Sequence, residues 1–182
     1  MLINIENTIN NVIKKADVFV SEMDFQHSLG NELKSHYQQY DIYMGYRVQG
    51  ELYGSAMHID IVLLKEDTFI PIEIKYKTKG QTVKNRKEEY KFKRHGAYPD
   101  NCKRYLDDII RIKKLRNYPY FKEGYSIFLT DDEKYVELFK KESVGKNALV
   151  NMNDIKNRNW ITQKSNSITY YFLVNTICKG DD

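Results

Sequence analysis

The stretch HIDIVLLKEDTFIPIEIKYK, residues His58 to Lys77, is two aliphatic runs joined by the polar pair Glu66-Asp67. Each run is rich in Ile, Val and Leu and short enough for a strand, so a two-residue hairpin is the simplest reading. In that register Ile59, Ile61 and Leu63 face Ile74, Ile72 and Ile70, giving one continuous aliphatic face. The opposite face sets His58 beside Lys75, Asp60 beside Glu73, Val62 beside Pro71 and Leu64 beside Phe69. Directly opposed residues have Cβ atoms about 4.5–5.5 Å apart, so two carboxylates there repel unless a cation or a proton lies between them. Mg²⁺ suits such a pair, since it takes one or two carboxylates plus waters and phosphate oxygens. Lys75 projects from the same face, where it can hold a water or a phosphate oxygen. The plainer alternative is a solvated hairpin end with a weak surface ion pair. Isoleucine-rich sequence on both sides argues against it.

Working outward, Ile5, Ile9, Val12 and Ile13 recur at helical spacing within Ile3 to Lys15, and Ser21 is a candidate N-cap for a second helix to about Gln38. Strand-like runs follow over Ile42 to Arg47, Met57 to Leu64 and Phe69 to Tyr76, suggesting an antiparallel meander. Thr78 to His95 is loop-like with room for a short strand or helix. Pro99, Asp100 and Asn101 start a helix to about Leu115, with Leu106, Ile109, Ile110 and Ile112 on its apolar side. Gly124 to Thr130 reads as a buried strand, Asp132 to Lys140 as a short helix, Glu142 to Asn159 as irregular, and Ile168 to Ile177 as a closing strand.

The chain has 182 residues, 41% of them hydrophobic and 30% charged, with three prolines, which fits one globular domain and argues against long disorder. No segment has the length of a bilayer span, and MLINIENTIN lacks the layout of a signal peptide, so a cytoplasmic location is expected. Cys102 and Cys178 are far apart and form neither a zinc cluster nor a disulfide framework. The net charge of +4 says little by itself. Its distribution says more: Lys77, Lys79, Lys84, Arg86, Lys87, Lys91, Lys93 and Arg94 follow the second run with Tyr76, Tyr90 and Phe92 interleaved and only Glu88 and Glu89 opposing. Such runs usually form a solvated face; following directly on a metal-binding strand, this one would track a nucleic-acid backbone.

Asp60, a twelve-residue gap, and then Glu73-Ile74-Lys75 resemble the motif of the PD-(D/E)xK nuclease superfamily. The expected order of helix, three strands, helix and strand is that of its restriction-endonuclease-like fold, an α/β (α+β) core with helices around a mixed central sheet. DFQHSL, IDIVLL, PIEIKYKTK, GAYPDNCKRYLDDIIRIKKL and GYSIFLTDD are similar to segments of bacterial members, over residues from about 21 to 132. The resemblance implies Asp60 and Glu73 as ligands of Mg²⁺ or Mn²⁺, and Lys75 as the residue that positions the attacking water. It also implies a further carboxylate from the preceding helix. Glu32 is the choice, because Phe25, Leu29, Glu32 and His36 share one helical face, whereas Glu22 and Asp24 suit the first turn through the helix dipole. Gln26, His27, His58, Asp108 and Arg111 are candidates to line or brace the site. The expected activity is metal-dependent phosphodiester hydrolysis, with DNA the expected substrate and a homodimer or a partner protein compatible with the small size.

Two other classes stay open. One is a nucleic-acid-binding module that keeps the fold without catalysis, against which the intact acidic pair argues. The other is a protein-interaction component whose basic segment meets an acidic partner.

Overall fold

The computed structural model describes residues 3–48, 57–85, 88–145, 150–155 and 159–180. Helix α1 spans Ile5–Lys15 and α2 spans Glu22–His36. Ser21 caps α2, its Oγ accepting from the Asp24 amide at 3.1 Å, as its place before the helix foretells. Strands β1 (Asp41–Arg47), β2 (His58–Lys65) and β3 (Thr68–Lys77) form the antiparallel meander. The pairing of Ile61 with Ile72 and of Leu63 with Ile70 is the register set by a Glu66-Asp67 turn. A small hairpin, β4 (Thr82–Asn85) and β5 (Glu88–Lys91), occupies the basic segment. Then come α3 (Tyr98–Lys114), β6 (Glu123–Thr130), α4 (Glu133–Phe139), the short β7 (Ser143–Val144) and β8 (Val150–Asn151), β9 (Ile161–Lys164) and β10 (Thr169–Cys178). Among the described residues β9 is the one strand of the main sheet that the sequence pattern does not announce; it pairs with β10.

Among the described residues the main sheet has six strands in the order β1-β2-β3-β6-β10-β9, mixed because β3 and β6 run parallel with α3 connecting them. Both faces are covered. On one, Ile9, Ile13, Phe25, Leu29 and Leu33 of α1 and α2 pack on Ile61, Leu63, Ile70, Ile72, Ile127 and Phe172. On the other, Tyr105 and Ile109 of α3 meet Phe128 and Leu173, while Ile112 packs with Val62, Phe69 and Phe121. Strand β3 is therefore central and almost wholly buried, which accounts for its nearly unbroken aliphatic composition. Pro71 survives there because it falls in a gap, between an isolated bridge of Phe69 to Phe121 and the parallel ladder that begins at Ile72 and Tyr125. Among the described residues it pairs with Val62 of β2 and has no ladder partner in β6.

Two expectations about facing residues are not met. Ile110 is 48% exposed, since α3 turns Ile109 and Ile112 inward and a residue one step from Ile109 is rotated off that stripe. Ile59 packs with Val48, Val62 and Phe69 on the α3 face and not with Ile61 on the α2 face. The alternation of β2 breaks at Asp60, where the opposing β1 residue, Gly45, has φ +62° and drops out of the register between Met44–Ile61 and Tyr46–Ile59. No helix of the described residues is long and apolar enough to cross a membrane.

Candidate active site

The antiparallel ladder of β2 and β3 ends at Ile61 and Ile72. Beyond it β2 continues beside β1, pairing Ile59 with Tyr46 and His58 with Arg47, while β3 continues beside β6 to Lys77 and Thr130. The two strands fork, and a fork inside a sheet leaves backbone groups without ladder partners. Side chains take their place. Asp60 Oδ2 accepts from the Ile74 amide at 2.7 Å, and Glu22 Oε2 accepts from the Tyr76 amide at 2.7 Å. On the β2 side Gln26 donates to the Asp60 carbonyl and Arg111 to the His58 carbonyl. Glu22 and Gln26, one helical turn apart on α2, reach the fork together. Asp108 and Arg111, three residues apart on α3, reach it from the other side.

Inside the fork the Asp60 and Glu73 carboxyls face each other closely enough for the charge of one to oppose that of the other. Glu73 is 2% exposed. Burial and then the neighbouring Asp60 charge push its carboxyl far above the ordinary range, with Arg111 opposing. Burial also raises Asp60, although the Ile74 amide that its carboxylate accepts from pulls it back. Both carboxyls are thus held above their ordinary range, Glu73 the more strongly. Lys75 Nζ lies 3.2 Å from Asp108 Oδ2. Burial alone would lower the lysine, but Asp108, Glu22 and Asp60 outweigh it and keep the ammonium charged. Arg111 Nη2 stands 3.0 Å from Glu73 Oε1 and Nη1 stands 3.7 Å from Asp108 Oδ1. Glu73 Oε1 nevertheless is buried without an aligned hydrogen bond.

Glu32 is not part of this cluster. Its carboxylate is held by Lys15 at 2.6 Å and by His36 at 2.9 Å, between α1 and α2. Ten residues separate it from Glu22, about 15 Å along the axis and on another face of the helix. The acid that α2 brings to the fork is Glu22. Sequence reading missed it because a first-turn acid is well explained by the helix dipole. The signal that could have found it is the spacing of Glu22 and Gln26, which share a face that does not belong to the apolar stripe. His27 is exposed on α2, and His58 meets the site through its carbonyl.

Of the basic residues, Lys77 lies closest, 3.9 Å from Glu22 and half-buried; burial lowers its pKa despite that partner. Lys79, Lys84, Lys91, Lys93 and Arg94 are exposed beyond it. Lys84 and Lys91 lie 3.9 and 3.5 Å from Glu89, and Arg94 donates to the Tyr98 hydroxyl. Arg86 and Lys87 fall outside the described residues. The hairpin is tied to the sheet at its base, where Asp131 accepts from the Lys79 amide at 2.7 Å and from Gln81. Tyr76 is buried with its hydroxyl on the Phe19 carbonyl, so it is floor and not a stacking surface.

Among the described residues no group of three or more His, Cys, Asp or Glu side chains is arranged to hold a metal ion. Two carboxylates with one buried, unsatisfied oxygen do fit a hard cation that completes its shell with water and substrate oxygens. Comparison of the chain with protein-family models, with curated proteins and with solved structures returned no match.

Proposed function

We propose that the chain is a metal-dependent nuclease of the PD-(D/E)xK type, with the restriction-endonuclease-like arrangement of that superfamily, acting on nucleic acid and most simply on DNA. The observation that carries this reading is the buried meeting of Asp60 and Glu73 beside a charged Lys75 at a fork in a central sheet. Two acids crowded together in the protein's interior cost stability, and proteins accept such conflicts chiefly at functional sites. Asp60 and Glu73 would hold Mg²⁺ or Mn²⁺, with Glu22 in place of Glu32 as the third carboxylate. The ion would supply an activated water and neutralise charge on the scissile phosphate. Lys75 donates its protons toward that phosphate and the attacking water, and Asp108 fixes the ammonium in place. Arg111, held by Asp108, leaves Glu73 for the phosphate when the carboxylate is otherwise neutralised. Lys79, Lys84, Lys91 and Lys93 contribute sequence-independent contacts to the backbone of the substrate.

A second reading has one observation in its favour. Arg111 and Lys75 already balance Glu73 and Asp108, so the cluster has counter-charges of its own, as a non-catalytic nucleic-acid-binding descendant would. A cleavage panel of plasmid, linear duplex, and single-stranded DNA and RNA in Mg²⁺, Mn²⁺ or EDTA separates the two. Metal-dependent cutting by the wild type that Lys75→Ala and Asp60→Asn both lose supports the nuclease. Binding without cutting on every substrate supports the module.

A further inference from the structure

A cleft of about 570 Å³ opens where the start of α2, the end of β3 and the β4–β5 hairpin come together. Its size falls within the range of about 300–1,000 Å³ that holds nucleotide-sized ligands. Glu22 and Lys77 belong both to its wall and to the charged cluster at the fork, so the cleft begins where the candidate catalytic groups end. Its far wall is Glu89, Tyr90, Lys91, Phe92 and Lys93, with Lys91 3.5 Å from Glu89. In an extended chain Tyr90 and Phe92 point the same way while the lysines alternate with them. Phe92 packs its inner side on the core, and Tyr90 is only partly covered. The hairpin cannot swing freely from this position, because Thr78 accepts from the His95 amide at 3.0 Å and Asp131 holds Lys79 and Gln81.

Aromatic faces alternating with ammonium groups are the makings of a platform for a base and its phosphates. The base pairs of a duplex expose edges and not faces, and a concave site walled on three sides admits a base only after it has left the stack. We propose that this cleft takes one unstacked nucleotide of a single strand, next to the phosphate presented at the fork, and that single-stranded nucleic acid or an unpaired end is the chain's substrate class. The inference rests on the nuclease reading for the role of the fork, though not for the binding itself. Tyr90 is the stacking face, Lys77 leads the strand toward Lys75, and Lys91 and Lys93, alternating with Tyr90 on the other side of the hairpin strand, meet the backbone phosphates where the strand leaves the cleft.

The test is fluorescence anisotropy in EDTA, where nothing is cut, with a labelled strand of about 12 nucleotides made as DNA and as RNA, and the same DNA annealed to its complement. Wild type is compared with Tyr90→Ala, Tyr90→Phe and Lys91→Gln, each checked for native circular dichroism and melting. The expected result is tighter binding of the single strand than of the duplex, weakened about 5- to 100-fold by Tyr90→Ala and little by Tyr90→Phe. Equal affinity for duplex and single strand, no binding of the single strand, or a Tyr90→Ala protein that binds like wild type would overturn it. The two readings fail separately. Tyr90-dependent binding with no metal-dependent cleavage keeps the cleft and removes the nuclease, whereas metal-dependent cutting of duplex DNA that Tyr90→Ala leaves unchanged does the reverse.

Discussion

Asp60 does structural and chemical work with different oxygens and atoms of one residue. Its Oδ2 replaces a strand as acceptor for the Ile74 amide, and the same carboxyl is pressed against Glu73. Asn at this position keeps an acceptor for the amide and gains a donor for Glu73, turning repulsion into a hydrogen bond. Asp60→Asn should therefore raise stability by about 1 kcal/mol in thermal or urea melts in EDTA, roughly one pKa unit's worth, while cutting any metal-dependent cleavage at least about 100-fold. A change that stabilises and inactivates together marks a residue kept for function. Glu22 and Glu32 provide the matching contrast. Glu22→Gln should weaken Mg²⁺-dependent cleavage and leave the fold intact. Glu32→Gln should leave cleavage alone and cost no more than about 1 kcal/mol, since Lys15 is 66% exposed.

At the level of elements, the fork is what sets the site apart from an ordinary hairpin. The sequence shows the hairpin and its register plainly, because a two-residue polar turn between aliphatic runs fixes both. It does not show that the ladder stops at Ile61 and Ile72, because strand separation depends on the neighbours β1 and β6, which compete for the same two strands. Nor does periodicity reveal that Ile59 changes face. The one local signal is Gly45, opposite Asp60 with φ +62°. A Cβ there would meet nothing within 4 Å, so Gly45→Ala tests the backbone alone. It should lower stability by about 1–2 kcal/mol, with Asn at the same position costing clearly less, as judged by urea unfolding midpoints. The choice of Glu32 failed for a similar reason: a helix face identified by its apolar stripe names the residues that meet the core, while the fork is reached from the flank.

For the molecule as a whole, the placement of charge matters more than its total of +4. Acids gather in the fork between the helical layers, and exposed lysines gather on the hairpin beyond it. Binding to nucleic acid should weaken linearly in log affinity against log salt, and Lys84→Gln or Lys93→Gln should each reduce the slope by about one. The fold itself was the most legible level, since helix, meander, helix and strand follow from periodicity and caps, whereas β9 was hidden in a short polar run that becomes a strand only against β10. The measurement that bears most directly on the central claim, that Asp60 and Glu73 are held together to receive a cation, is the melting temperature from about pH 5 to about pH 8 with and without Mg²⁺. An acid whose folded pKa lies above its unfolded value adds stability while both states are protonated, and loses that contribution as pH climbs from about 4.3 through the folded value. Glu73 and Asp60 both belong to this class. In EDTA the melting temperature should fall as pH rises, and Mg²⁺ should restore it at the upper end in the wild type but not in Asp60→Asn. A melting temperature that Mg²⁺ leaves unchanged across the whole range, or raises equally in Asp60→Asn, would contradict the claim.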